Sequence, residues 1–415
     1  MYNAKFNPLV LNALKNTSFT LVLLLAACGN TAGKAQSQQL PGQAAAPEAV
    51  IEAAQRTEAY FPLLQGKKLA LVANQTTVVF NDGRAVHLAD SLLAAGLELV
   101  KVFAPEHGFR GQADAGEKVQ DGMDVQTGLP IVSLYGANRK PAPGHLEGID
   151  MLVFDIQDLG VRFYTYIATL QLVMEACARD GVPIVVLDRP NPNADVVDGP
   201  VMEPEHTGFL GMTPIPLAYG MTIGEYALLI NGEGWLEGGA KADLTVIPLE
   251  NYDRSIPYPI PIASSPNIPN LQAARLYPSL GLFEGTQVNA GRGTDAQFQR
   301  FGAPFLDPDY FPFSYTPEPN PGAKSPKHNG VVCHGRDLSE VDPPKGVDLG
   351  WLIEAYRHRM PDAPFFNTDG FTKHAGTALL QQQIESGLEM DAIRESWRPK
   401  LEAFREIREK YLLYR

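Results

Sequence analysis

Short apolar runs alternate with helical patterns along the first half of the chain. Five such runs, each bounded by turn residues, predict buried strands at 68–73, 97–103, 131–135, 151–156 and 184–187. Apolar residues recur at helical spacing over 85–95, 163–179 and 223–235. Strands alternating with helices predict a parallel sheet covered on both faces, a Rossmann-like α/β layer. The style changes after Lys241: a strand at 244–249 leads into a proline-rich stretch over 256–278. An irregular segment of that length in a compact domain is usually functional or wrapped over another surface. Order returns with a strand around 330–334 and helices at 349–357, 376–386, 390–395 and 397–411. The expected organisation is a Rossmann-like α/β domain over 51–240 and a smaller α+β domain over 241–415. No internal repeat is visible.

The N-terminus stands outside this pattern. Lys5 and Lys15 are the only charged residues before Cys28, and the apolar run Leu21-Val-Leu-Leu-Leu-Ala-Ala27 separates Lys15 from that cysteine. The run is far shorter than the ~20 residues that span a bilayer, but it suits the core of a signal peptide. Leu25-Ala-Ala-Cys28 resembles the lipobox of bacterial lipoproteins, so residues 1–27 read as a leader and Cys28 as the lipidated residue. Gly29 follows where an aspartate would favour inner-membrane retention, which by the same resemblance points to the outer membrane. Residues 28–50 begin with a stretch rich in Ala, Gln, Gly and Pro that holds no aromatic residue, and they read as a flexible tether. The expected location is an exported, membrane-anchored one, facing the periplasm or the cell surface.

Composition narrows the chemistry only a little. Hydrophobic residues make up 45% and charged residues 20%, as in an ordinary globular protein. Removing Lys5 and Lys15 with the leader takes the formal charge from −13 to −15, a poor balance for binding nucleic acid or anionic lipid. Only Cys177 and Cys333 remain after Cys28, and Cys177 lies in an apolar helical pattern that predicts a buried thiol. The histidines are scattered and no Gly-x-Ser-x-Gly elbow occurs, so neither a metal site, a serine triad nor any cofactor is expected. Nothing in the pattern sets an oligomeric state.

Ligands of a doubly wound sheet bind beyond the carboxyl ends of its strands. The most unusual polar residues fall there: Asn74-Gln75, Pro105-Glu-His-Gly108, Gln157-Asp158 and Asp188-Arg-Pro-Asn191. Two carboxylates stand out. Glu106 follows a buried strand inside Phe103-Ala-Pro-Glu-His-Gly-Phe-Arg-Gly111, and Glu284 precedes the Gly/Thr/Asn-rich turn that holds Arg292. Glycosidic cleavage needs a proton for the leaving oxygen and stabilisation of an oxocarbenium-like centre, which two carboxyls in unlike environments supply. The competing reading makes each glutamate the ion-pair partner of a nearby arginine, Arg110 or Arg292.

Longer motifs decide between these. Leu71-Val-Ala-Asn-Gln-Thr76, the Pro105–Gly111 motif, Phe154-Asp-Ile-Gln-Asp-Leu-Gly-Val-Arg-Phe-Tyr-Thr-Tyr166, Leu187-Asp-Arg-Pro-Asn-Pro192, Tyr219-Gly-Met-Thr222, the 278–294 segment and Lys410-Tyr-Leu-Leu-Tyr414 occur in one order. Together they resemble the NamZ/YbbC family of exo-β-N-acetylmuramidases, once catalogued as a domain of unknown function. The resemblance implies a Rossmann-like domain joined to a smaller C-terminal domain with the cleft between them. It also implies release of β-linked N-acetylmuramic acid from non-reducing ends of peptidoglycan fragments. The family's suggested catalytic glutamates match Glu106 and Glu284. Substrate-binding candidates are Asn74, His107, Gln157, Asp158, Arg162, Tyr164, Tyr166 and Arg292: guanidinium for the lactyl carboxylate, tyrosine for a pyranose face, amides and carboxylate for hydroxyls. Tyr164 and Tyr166 fit equally well as packing at a helix start, and His107 as a structural histidine. The alternative function is a lipid-anchored protein that captures wall fragments without cleaving them.

Overall fold

The structure is a computed structural model that describes residues 49–81, 83–110 and 121–415. The predicted leader, Cys28 and almost all of the 28–50 tether lie outside the described residues. Lys68–Ala73 is the central strand of a sheet that has seven strands among the described residues. Across the sheet the order is Leu244–Ile247, Ile184–Leu187, Met151–Asp155, Lys68–Ala73, Glu98–Ala104, Pro130–Ser133 and Gly122–Met123. Every pairing is parallel except the last, where Gly122–Met123 runs antiparallel on the edge. Side chains alternate between the faces, as the two-residue period of a strand requires. Ala70, Val72, Phe103, Leu152, Phe154 and Val186 point into one apolar cluster. Leu69, Leu71, Ala73, Val102, Val153, Val185 and Leu187 point into the other. Burial on both sides explains why these strands read as unbroken apolar runs.

The helices Tyr166–Asp180 and Ile223–Gly232 cover the first face, and Thr57–Leu64 with Leu88–Ala94 cover the second. The first cluster continues without a break into the C-terminal part through Phe283, Phe301, Phe311, Leu352, Trp397 and Phe404. There Arg300–Ala303, Cys333–Asp337 and Phe313–Tyr315 form a three-stranded antiparallel sheet. The strand Leu244–Ile247, read from sequence with the C-terminal part, pairs with Ile184–Leu187 as the outer strand of the large sheet. Cys177 and Cys333 are buried free thiols.

Several elements differ from their expected bounds for identifiable reasons. The pattern at 85–95 begins as a hairpin strand, Arg84–His87 against Val78–Asn81, and turns helical only at Leu88. The His87 ring makes that switch: one nitrogen accepts from Ala89 N–H at 3.2 Å and the other donates to the Asn74 carbonyl at 3.0 Å. Burial lowers its pKa to about 4, which keeps the ring neutral and able to do both. The proline-rich stretch hides a helix, Leu271–Leu280, capped by Asn270 and tolerating Pro278 in its last turn. The helix expected at 376–386 is Leu379–Glu385, and an unpredicted helix, Thr368–Ala375, precedes it and ends at Gly376 with φ +78°. A Cβ at Gly376 would sit 2.6 Å from the Arg162 guanidinium, so glycine is required there. The last two predicted helices are one, Met390–Arg408, whose buried face Ile393, Trp397, Leu401 and Phe404 runs through the expected break.

Arg189 holds together the strand ends beneath the site. Its guanidinium donates to both oxygens of Asp155 at 2.5 and 2.8 Å, to Glu52 at 2.7 Å and to the Val78 carbonyl at 3.2 Å. All three side chains are closed to water. Removing one partner from a buried ionic cluster leaves uncompensated charge, typically costing about 3–5 kcal/mol. Arg189→Met should therefore lower the unfolding free energy by about that amount in urea titration. An unchanged urea midpoint would remove this cluster from the account of stability.

Candidate active site

Glu106 is presented by a turn at the end of the strand Glu98–Ala104. Gly108 N–H donates to the Pro105 carbonyl at 3.0 Å, and both His107 (φ +69°) and Gly108 (φ +78°) take left-handed backbone. A non-glycine residue in that region is a held, strained conformation, and such conformations cluster at functional sites. The Glu106 carboxylate accepts from the Thr165 hydroxyl at 3.0 Å, and the Tyr166 hydroxyl donates to the Glu106 carbonyl at 3.4 Å. Arg110, three residues from the turn, is committed elsewhere: it grips Asp124 at 2.9 and 2.8 Å.

Glu284 arrives from the C-terminal side, on the 3-10 turn Gly281–Gly285 that extends the helix Leu271–Leu280. Its carboxylate lies 3.1 Å from the Arg292 guanidinium. Burial pushes the Glu284 carboxyl up, but Arg292, Lys327 and His374 outweigh it and hold the group below the ordinary glutamate range. Arg292 is the meeting point, because the charges of Glu284 and Glu106 both act on it. So is Tyr277, which feels Arg292, Glu284, Glu106 and Asp158 while burial raises its pKa. Phe163, Tyr164 and Phe298 pack edge-on around the Tyr277 ring at 5.2, 6.0 and 4.7 Å. Two carboxylates from opposite parts of the fold therefore share one cation and one phenol.

The other predicted residues surround this pair in different ways. Asn74 is fully buried; its Oδ1 accepts from Thr76 N–H at 2.8 Å and from the Thr76 hydroxyl at 2.6 Å. Gln157 spends its amide protons on the Asp158 and Pro190 carbonyls at 2.7 and 2.6 Å. Asp158 accepts from Gly160 N–H at 2.7 Å and from the Tyr219 hydroxyl, and burial raises its pKa to about 6. Arg162 faces no carboxylate: it donates to the Pro200, Ile215 and His374 carbonyls at 2.8, 3.0 and 2.9 Å, and burial lowers its pKa to about 9. Tyr164 and Tyr166 stack edge-on at 4.9 Å, and Tyr164 donates to the Ser264 carbonyl at 2.8 Å. His107 is buried on the Glu106 turn.

The proline-rich stretch forms a strap over these strand ends. Gln75 donates to the Ala263 and Ser264 carbonyls at 3.1 and 3.0 Å, Tyr258 bonds Glu52, and Asn267 donates to the Gly322 carbonyl at 2.7 Å. Sequence reasoning missed Tyr277 and Lys327. Asn270 followed by apolar residues at 273, 274, 276, 277 and 280 is the signal that would have placed Tyr277 on a capped helix. Among the described residues the one group with metal-ligand spacing is Glu203, Glu205 and His206, none of which is a predicted site residue.

Known proteins resemble this chain over nearly all of its described length. Sequence models of exo-β-N-acetylmuramidase NamZ match it in two consecutive parts, the N-terminal at residues 69–272 and the C-terminal at 275–414. The chain is 38% identical over 376 residues to the peptidoglycan β-N-acetylmuramidase NamZ of Bacillus subtilis, covering 86% of this chain and 89% of that protein. A crystal structure of a DUF1343 family protein from Bacteroides fragilis superposes with a TM-score of 0.81 at 40% identity, covering 89% of this chain and 99% of the other. A second from the same organism gives 0.74 at 28% identity, covering 88% and 99%. With both NamZ parts matched from the central strand to Tyr414, the chain belongs to the NamZ family of exo-β-N-acetylmuramidases.

Proposed function

We propose that this glycosidase cleaves the bond to a terminal β-linked N-acetylmuramic acid with Glu284 as its standing anion and Glu106 as its proton carrier. The observation that carries the assignment is the shared field of Arg292. A carboxyl paired with a guanidinium at 3.1 Å and held below its usual pKa is ionised through neutral pH, so it suits the stabilisation of positive charge and not proton donation. The proton for the leaving oxygen then falls to Glu106, whose carboxylate is oriented by the Thr165 hydroxyl. Arg292 doubles as the candidate for the lactyl carboxylate, since it is part-exposed beside Glu284 while Arg162 is buried and its two terminal nitrogens are committed to backbone carbonyls. The Tyr164, Tyr166 and Tyr277 rings are buried and pack edge-on against one another, so they brace the site and do not offer a face to the sugar.

The anchor belongs to the same proposal. Lipidation at Cys28 and the polar 28–50 stretch would hold the enzyme at the outer membrane, on the side where wall fragments are released. Among the described residues no helix is long and apolar enough to cross a membrane.

Two measurements test these readings. On a β-linked nitrophenyl N-acetylmuraminide, Glu106→Gln and Glu284→Gln should each reduce kcat by about 10²-fold or more, with fold retained by circular dichroism. A glutamine variant that keeps wild-type turnover removes that residue from the chemistry. For the anchor, cells fed labelled palmitate should label the wild-type protein but not Cys28→Ser, which should move to the soluble fraction. Equal labelling of both would refute lipidation at that residue.

A further inference from the structure

Glu284 occupies an electrostatically unfavourable position. The helix Leu271–Leu280 runs on into the turn Gly281–Gly285, and carbonyls at a helix C-terminus are unpaired and carry the negative end of its dipole. A carboxylate there is disfavoured, and burial disfavours it further. One side chain answers both problems. The Lys327 ammonium donates to the carbonyls of Phe283 at 2.9 Å, Glu284 at 3.2 Å, Thr286 at 2.7 Å and Val288 at 3.3 Å. An ammonium has three protons, so four carbonyls saturate it; burial lowers its pKa from the ordinary lysine value, and the carboxylate of Glu284 opposes that shift.

The segment around Lys327 is fastened to the same loop throughout. Asn289 donates to the Lys327 and Arg292 carbonyls at 3.0 Å each, and the His328 ring bonds the Gln287 carbonyl at 2.7 Å. Glu318 N–H donates to the Gly293 carbonyl at 2.8 Å, and Asn320 to the Thr294 carbonyl at 2.9 Å. A Cβ at Gly293 would meet Pro326 at 2.6 Å. Residues 317–330 thus clasp the loop that carries both Glu284 and Arg292.

We propose that Lys327 is a positioning residue of the muramidase reaction: its ammonium gathers the 283–288 carbonyls to fix Glu284, and its charge compensates that carboxylate. This rests on the reading of Glu284 as the standing anion. The groups facing Glu284 are Arg292 from the following turn, Lys327 from the clasp, His374 of the helix Thr368–Ala375 and Tyr277 of its own helix, with Glu106 acting on Arg292 and Tyr277 from the opposite side. Burial lowers the pKa of both His374 and Lys327, and the charge of Glu284 acts against that shift at each.

The experiment compares Lys327→Met, Lys327→Gln and Lys327→Arg on the nitrophenyl substrate, reading kcat, KM and the pH profile. Activity requires ionised Glu284, so loss of a neighbouring cation raises its pKa and moves the acidic limb upward. The two neutral variants should lower kcat by about tenfold or more, leave KM within about threefold, and shift the acidic limb up by about one pH unit. Lys327→Arg, which keeps the charge, should restore the limb. Lys327→Gln retains two N–H donors, so it decides the matter if Lys327→Met does not fold. A folded Lys327→Gln with wild-type kcat and acidic limb overturns the proposal, as does loss of fold in both neutral variants, which would make the residue purely structural. Glu284→Gln with wild-type activity would instead overturn the reading of Glu284. An inactive Glu284→Gln beside an unperturbed Lys327→Gln removes only the role of Lys327.

Discussion

A guanidinium shut away from water must be matched by anions or by carbonyl oxygens, and the buried Arg189 cluster imposes that condition on the whole floor of the site. Asp155 ends one strand, Arg189 follows its neighbour, Glu52 comes from the segment before the sheet, and Val78 from the hairpin. Each group would be costly alone, so the four segments are fixed together or not at all. Tyr258 bonds Glu52 and so ties the proline-rich strap to the same cluster. The strap then reaches the strand ends through Gln75 and Tyr164. Arg162 applies the same logic further out, collecting carbonyls from Pro200, Ile215 and the helix that ends at Gly376. The site residues sit on a frame whose parts are locked by charge and by carbonyl satisfaction.

This division explains what the sequence could convey. Strands buried on both faces write themselves as continuous apolar runs: Lys68–Ala73 and Ile184–Leu187 are found at the predicted residues, and the strands near 97–103, 131–135 and 151–156 move by one or two. Polar residues at strand ends stand out in the sequence as a group, but the sequence does not sort them by task. Gln157 and Arg162 look like ligand-binding groups in one dimension because both are polar and close to tyrosines. In three dimensions Gln157 donates to the carbonyls of Asp158 and of distant Pro190, and the terminal nitrogens of Arg162 donate to carbonyls far along the chain. Tyr277 was hidden because prolines on either side of it argue for irregular chain, whereas Pro278 falls in a last turn that tolerates it. Lys327 has no local pattern at all: every partner of its ammonium is distant in sequence, so only the folded loop reveals it.

Catalytic carboxyl and ion-pair partner are not opposed readings at Glu284. Glu284 is paired with Arg292, as the bland reading expected, yet the pairing is what keeps it anionic inside a protein. Glu106 is not paired with its neighbour Arg110, which belongs to Asp124. An ion pair on an open surface contributes little. The same pair in a recess, with a second cation behind it, sets which carboxyl keeps its charge.

The formal charge of −13 makes the substrate's own carboxylate a problem for capture. At physiological ionic strength fields from exposed charges fade over about 8 Å, so the acidic surface repels an anionic sugar only weakly until it is close. Inside the recess the balance is local. The charges of Glu284 and Glu106 both act on Arg292, and the Lys327 ammonium, bound to the Glu284 carbonyl, is a further cation acting on that carboxylate. If Arg292 alone balanced Glu284, drawing its guanidinium toward a lactyl carboxylate would strip the catalytic anion of its only cation. With Lys327 in place, Arg292 can turn part of its charge to the substrate while Glu284 stays ionised. On the proposed assignment, a second, backbone-bound cation is what would allow one arginine to serve both the chemistry and the recognition of an acidic sugar.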